Sequence, residues 1–382
     1  MFDTGEFNIG MYSSTGSWTW QEELLIRYAS WMKERGSRIV LFCVDNSPLY
    51  HHAKEQRLRV ERIQRNKKYG DRKNARKLAV KFENNKLDII WVYDSWDISI
   101  AGLAKSLCKR RLTFLYQQSV EIKSAKRDFV HTKRFNRIDI WVSPLKHLIE
   151  QVKKKTKFPE EKLHLVRIPV NIQELMFHNL PREQARFEMT IDPSAPLFGI
   201  KGTINPRQGQ VFVTIALAEL RKKFPNLQLL IYGQKGKGEA ESYYDELKET
   251  IRRYRLEGAV HVRENMDNEA SFFRAIDVFI SPDKNDVAGT DTIKAMLFGN
   301  KVIGVNEGGV PELLEWGEFG ELYTPNNYFE FGQAYESVLA DMVRAEEKAR
   351  NAASEAKERY DHYFACDVIE NLLRESLKSK EV

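Results

Sequence analysis

Runs of consecutive apolar residues alternate along this chain with stretches whose apolar positions recur at helical spacing. Gln21–Arg35 has the helical period, and Arg38–Val44 (RIVLFCV) is continuous in apolar residues. Leu87–Val92, Leu112–Tyr116, Ile138–Val142 and Leu163–Ile168 repeat the strand pattern, with a helix expected over Ile98–Cys108. Strands without polar alternation are buried on both faces, which predicts a parallel sheet covered by helices on each side. The pattern weakens from Pro169 to Pro196, where Pro181, Pro193 and Pro196 interrupt it. It then restarts with strands at Leu197–Lys201, Leu227–Tyr232, Val260–Val262, Val278–Ile280 and Lys301–Val305. Helices are expected between them at Val211–Lys223, Glu241–Tyr254, Asn268–Ala275 and Thr290–Phe298, and from Phe329 onward.

Two tandem doubly wound, Rossmann-like α/β domains follow from this arrangement. Residues 1–172 form the first and 173–196 a linker region. Residues 197–355 form the second, and 356–382 a final helix returning to the first. A chain of 382 residues has room for both cores. Open sheets of this kind bind ligands at the carboxyl ends of their strands, so the expected site is a cleft between the domains. The stretch from Ser281 to Glu315 is the most informative. An irregular loop there runs into the helix at Thr290, Gly299 ends that helix, and a second turn follows at Gly308 and Gly309. Unpaired amides at a helix start favour an anion.

Charge adds an asymmetry. Residues 1–172 hold 34 Lys and Arg against 19 Asp and Glu, a net +15, and the remainder is −9, giving +6 overall. The basic residues are densest from Lys54 to Lys81, with further clusters at Lys105–Arg111 and Lys153–Lys157. An anionic partner is expected, such as an anionic membrane surface or a charged acceptor. Aromatic residues are sparse in the Lys54–Lys81 tract, so nucleic acid is a poor fit. Cys43, Cys108 and Cys366 are far apart, which suits a reducing, cytoplasmic compartment, and no basic-then-apolar signal pattern opens the chain. No HExxH, GxSxG or complete P-loop order is present, and no DxD pair reads as a metal site.

Five segments of the second half, in order, resemble family 4 of the retaining GT-B glycosyltransferases. They are Phe198–Gln210 (FGIKGTINPRQGQ), Leu229–Gly233, Ala275–Pro282 (AIDVFISP), Asp286–Gly299 and Gly308–Glu312 (GGVPE). The resemblance implies a GT-B fold and transfer of a sugar, with retention, from a nucleotide sugar (UDP- or GDP-linked) to a glycan or lipid-linked acceptor. It implies no metal and no other cofactor.

Carried over position by position, Gly289, Thr290, Asp291 and Thr292 would meet the sugar or the phosphates, and Asp286 would hold a sugar hydroxyl. Met266 would lie near the base, Arg263 is a further donor-binding candidate, and Gly233 ends a donor-side strand. Ser14, Thr15 and Gly16 would approach the phosphates from the first domain. Four positions depart from the family pattern. Thr203 and Gln208 stand where an Arg and a Lys are usual, with Arg207 adjacent. Gln117 or Gln118 stands where a histidine is frequent. Lys294 replaces an acid that accepts from ribose hydroxyls, and a lysine can only donate there. Positive charge displaced within one pocket, with Lys294 and Arg207 covering for Gln208, is one expectation. A decayed transferase serving as a binding or scaffolding partner is the alternative, and a nucleic-acid-modifying transferase is a third.

Overall fold

The computed structural model describes residues 7–236, 238–264 and 268–378. The chain divides into two compact units. Unit 1 combines the chain up to Arg167 with the segment from His362, and unit 2 is Ile168–Asp361.

Unit 1 is built on seven strands: β1 (Asn8–Ser13), β2 (Arg38–Val44), β3 (Arg59–Ile63), β4 (Ile89–Val92), β5 (Thr113–Gln117), β6 (Ile140–Ser143) and β7 (Leu163–Leu165). Their order is β3-β2-β1-β4-β5-β6-β7, and every pairing is parallel. The central strands β4, β5 and β6 are buried throughout, as continuous apolar runs require. On one face Phe42 meets Phe82 edge-on at 5.3 Å, and Trp141 packs against Tyr116, Phe135 and Phe158 at 4.9–5.2 Å between ring centroids. Each such ring contributes about 2–3 kcal/mol by leaving water. Strand β3 (RVERI) lies inside the tract read as a basic cluster. It is an edge strand with Arg59 and Arg62 exposed, so its sequence lacks the buried-strand signature.

Unit 2 holds β8 (Leu197–Lys201), β9 (Gln228–Tyr232), β10 (Val260–Arg263), β11 (Val278–Ser281), β12 (Lys301–Val305) and β13 (Glu321–Tyr323). Their order is β10-β9-β8-β11-β12-β13, again all parallel. In each sheet the strand order reverses about one central strand, β1 in unit 1 and β8 in unit 2. The crevice at the carboxyl end of such a reversal is where α/β sheets take ligands.

The stretch 173–196 is more than a connection. It carries helices at Ile172–Phe177 and Arg182–Glu188, and the second is anchored inside unit 2. Arg186 is buried, donating to the carbonyls of Ala275 (2.8 Å) and Ala195 (2.8 Å) and pairing with Asp277 at 2.9 Å. Prolines punctuate this segment in the sequence, but the contacts to Ala275 and Asp277 lie about 90 positions away, where no local pattern reports them. At the other end the helix Met342–Arg359 stops, and a separate helix, His362–Lys378, belongs to unit 1. Arg35 fixes that last helix through Glu370 at 2.8 Å and a further pair with Asp367, while His362 lies 4.9 Å from the Trp31 ring. No helix among the described residues is long and apolar enough to cross a membrane.

Arg186→Ala would remove a donor from the carbonyls of Asp192, Pro193, Ala195 and Ala275 and from the Asp277 carboxylate. We expect unit 2 to lose about 2–4 kcal/mol in urea unfolding. A loss below about 0.5 kcal/mol, typical of a surface change, would contradict the anchoring role.

Candidate functional site

The loops at the carboxyl ends of β8, β9 and β11 meet the start of the helix Thr290–Leu297 in unit 2. Three devices hold them together. First, the turns after β8 and β9 touch: Gly202 N–H donates to Tyr232 O at 3.0 Å, and a Cβ at Gly233 would fall 1.8 Å from Gly202 O. Only glycine permits that approach. Second, Gln208 Nε2 donates to Asp283 Oδ2 at 2.8 Å, joining the β8 loop to the β11 loop. Third, Thr292 Oγ1 donates to Ser281 Oγ at 3.0 Å, pinning the helix to the end of β11.

Asp286 organises the turn before the helix. Its Oδ1 accepts from the amides of Ala288 (3.0 Å) and Gly289 (2.8 Å), and its own carbonyl accepts from Gly309 N–H at 3.1 Å. The GGVPE turn is thereby fastened to this loop. Gly289 has φ of +57°, and a Cβ there would fall 1.9 Å from Leu313 Cδ1, so both backbone and packing demand glycine. Burial pushes the Asp286 carboxyl up to about 6, against the lowering effect of its bonds from Gly289 and Ala288. The nearby Asp283 carboxyl is also raised by burial, opposed by its bonds with Asn285 and by the Arg207 charge.

The helix itself starts without a side-chain cap. Gly289 N–H is taken by Asp286. The amides of Thr290, Asp291 and Thr292, in the first turn, make no hydrogen bond to a described residue and have no intrahelical partner.

Four alternating charges flank that turn. Lys201, the last residue of β8, pairs with Asp291 at 2.7 Å and with Glu269 at 3.4 Å. Glu269, on the helix Glu269–Ala275, receives Lys294 Nζ at 2.8 Å on each of its two oxygens. Burial alone would lower the Lys201 ammonium, but Asp291 and Glu269 outweigh it and hold it above the ordinary lysine range. The Lys294 side chain is 9% exposed, whereas Glu269 is 32% exposed. Lys294 is therefore neutralised by Glu269 and is no free cation for a phosphate. Lys201 and Glu269 were invisible to motif reading. A lysine closing an otherwise apolar strand was the one available signal, and Glu269 has no fixed spacing to Lys294.

The other expected residues are placed as follows. Thr203 is exposed, and its carbonyl accepts from Asn205 Nδ2 (3.0 Å) and Gln210 Nε2 (3.3 Å). Arg207 is exposed beside it. Arg263 turns away from these loops, donating to the carbonyls of Val262 (3.2 Å) and Met189 (2.9 Å). Met266 lies outside the described residues.

In unit 1, Ser14 is committed to a buried carboxylate that the sequence did not reveal. Its amide and hydroxyl donate to Asp97 at 2.9 and 2.5 Å. Burial pushes Asp97 up to about 7, against the bonds from Ser14. Thr15 Oγ1 accepts from Ser17 N–H at 3.1 Å, and Gly16 has open space around it. Gln118 is fully engaged: Oε1 accepts from Trp141 Nε1 (3.1 Å) and Ser143 Oγ (2.6 Å), and Nε2 donates to Val120 O at 3.0 Å. The expectation that it faces a sugar gives way to a role in core packing. Gln117 is buried at the end of β5, with Oε1 unpartnered among the described residues.

Folding takes up a proton at Asp286, because the folded carboxyl titrates near 6 and the free one near 3.8. The stability from this group is fully present below the lower value and is lost as pH rises through the upper one. Asp286→Asn keeps the accepting oxygen, so its melting midpoint should vary less between pH 4 and 6 than that of the parent. Parallel profiles would rule out a raised Asp286.

Comparison with known proteins places this geometry. Residues 181–359 match the family model described as "Glycosyl transferases group 1". A trehalose synthase of Pyrococcus horikoshii is 24% identical over 268 residues, which cover 67% of this chain but only 61% of that enzyme, less than two thirds of its length. A glycosyltransferase of Rickettsia africae superposes with a TM-score of 0.84 at 17% identity, covering 98% of this chain and 99% of that one. HepE of Anabaena, solved in complex with UDP, has a TM-score of 0.84 at 19% identity, covering 97% and 100%, and it has also been solved with UDP-glucose. Two parallel sheets of this size and order are the two-domain GT-B fold, and residues 181–359 of the chain are similar to the group 1 glycosyltransferases.

Proposed function

We propose that unit 2 binds a nucleoside diphosphate sugar, with UDP as the first candidate, and that the protein transfers the sugar with retention to a hydroxyl of a glycan or lipid-linked acceptor. The observation that carries this reading is the set of amides at Thr290, Asp291 and Thr292 that lack an intramolecular partner among the described residues, on a turn locked by Asp286 at the strand-order reversal. In transfer, the bond from the anomeric carbon to the β-phosphate oxygen breaks and a bond to the acceptor oxygen forms. The acceptor proton is released, and negative charge grows on the departing diphosphate. Amides preset toward that charge stabilise it in the transition state, the more so out of bulk water. With those amides and the exposed Arg207 at hand, the diphosphate needs no metal in this reading. The UDP and UDP-glucose complexes of Anabaena HepE support the choice of nucleotide.

The lysine at 294 receives a different role from the one its position suggests. Lys294 holds Glu269 by both oxygens, and Glu269 is the more exposed partner. We assign the carboxylate of Glu269 to the ribose hydroxyls, accepting where a lysine could only donate. The basic unit 1 suits an anionic membrane surface as the place of action.

In titration calorimetry, UDP-glucose or another UDP-sugar should bind, and Glu269→Gln should weaken uridine and UDP alike by about tenfold. Lys294→Ala should act in the same way, through Glu269. A larger loss for UDP than for uridine would return Lys294 to the phosphates. Absence of binding across UDP-, GDP- and ADP-sugars would favour a scaffold that has lost its donor.

A further inference from the structure

Unit 1 contains a cavity of about 440 Å³ at the carboxyl ends of β2 and β3. That volume falls within the range of small-molecule sites, roughly 300–1,000 Å³. Its apolar lining comes from Ile63, Leu78 and Ile100, and its charged lining from Arg62, Lys77 and Lys81 against the single acid Asp45.

The helix Arg72–Asn84 supplies much of this wall, because Asn74, Lys77, Leu78 and Lys81 share one face at i, i+3, i+4 and i+7. Two lysines four apart on one face repel each other, an arrangement that costs stability unless an anion lies between them. The protein's own acids compensate only in part. Arg62 reaches Asp45 at 3.3 Å, with both side chains largely exposed, and Lys81 reaches Glu61 at 2.8 Å. The Arg62–Asp45 pair, exposed on both sides, holds weakly and can yield to a better anion, whereas Lys81–Glu61 is half-buried. Lys77 is exposed and has no hydrogen bond or ion pair with a described residue.

We propose that this cavity binds the phosphoryl group of a sugar-sized ligand, with the ring lying on the apolar lining and the phosphate meeting Lys77, Arg62 and Lys81. Binding is a property of unit 1 alone. Naming the ligand as the acceptor of the transfer rests on the function proposed above.

The test is calorimetry on the full chain without any nucleotide, using glucose 6-phosphate as the probe and glucose as its neutral control. Glucose 6-phosphate should bind at least about tenfold more tightly than glucose, and Lys77→Glu should remove most of that advantage. Lys73→Glu changes the same charge on the same helix outside the lining, and it should shift the affinity less than twofold. Both variants are on exposed positions, and circular dichroism checks that they remain folded. No preference for the phosphorylated sugar would overturn the proposal. So would equal weakening by Lys77→Glu and Lys73→Glu, which is the signature of a diffuse basic surface. Because no donor is present, failure here leaves the reading of unit 2 untouched, and failure of UDP-sugar binding leaves this result standing.

Discussion

The half-buried carboxylate of Asp286 governs the geometry of the turn before the Thr290–Leu297 helix. It keeps its place by accepting two amides of its own loop, and its carbonyl holds Gly309. That arrangement holds Gly289 in its left-handed conformation and leaves the following three amides without a partner among the described residues. A ligand meeting such a turn finds donors already oriented, so little ordering entropy opposes binding. The free energy for that order comes from folding and is invested before any ligand arrives.

A second constraint acts beside the first. Lys201, Glu269, Lys294 and Asp291 alternate in sign, and together they are neutral. Removal of any one would leave a buried or half-buried charge uncompensated, which is far costlier than the pair's net stabilisation. On the function proposed above, Glu269, held by Lys294 on both oxygens, would supply the acceptor that the resemblance places at position 294.

The alternation of apolar runs and helical periods is a local property, so the two parallel sheets were legible from sequence. The glycine landmarks were legible too, since Gly233 and Gly289 answer to contacts within one loop system. Edge strand β3 was not, because its exposed face carries arginines. The anchoring of Arg186 on Asp277 was hidden for a different reason, the large separation along the chain. The same limit applied to side-chain partners. Gln118 looked available from its place after a strand, yet Trp141 and Ser143 consume it, and Ser14 is held by Asp97. Sequence patterns report which face of an element is apolar. They do not report which polar group across the sheet has already claimed a donor.

The most direct measurement is a crystal structure with UDP bound. The account predicts β-phosphate oxygens about 2.9 Å from the amide nitrogens of Thr290 and Asp291, with the Asp286–Gly289 hydrogen bond intact. A diphosphate held elsewhere in unit 2, with those amides facing only solvent, would contradict it.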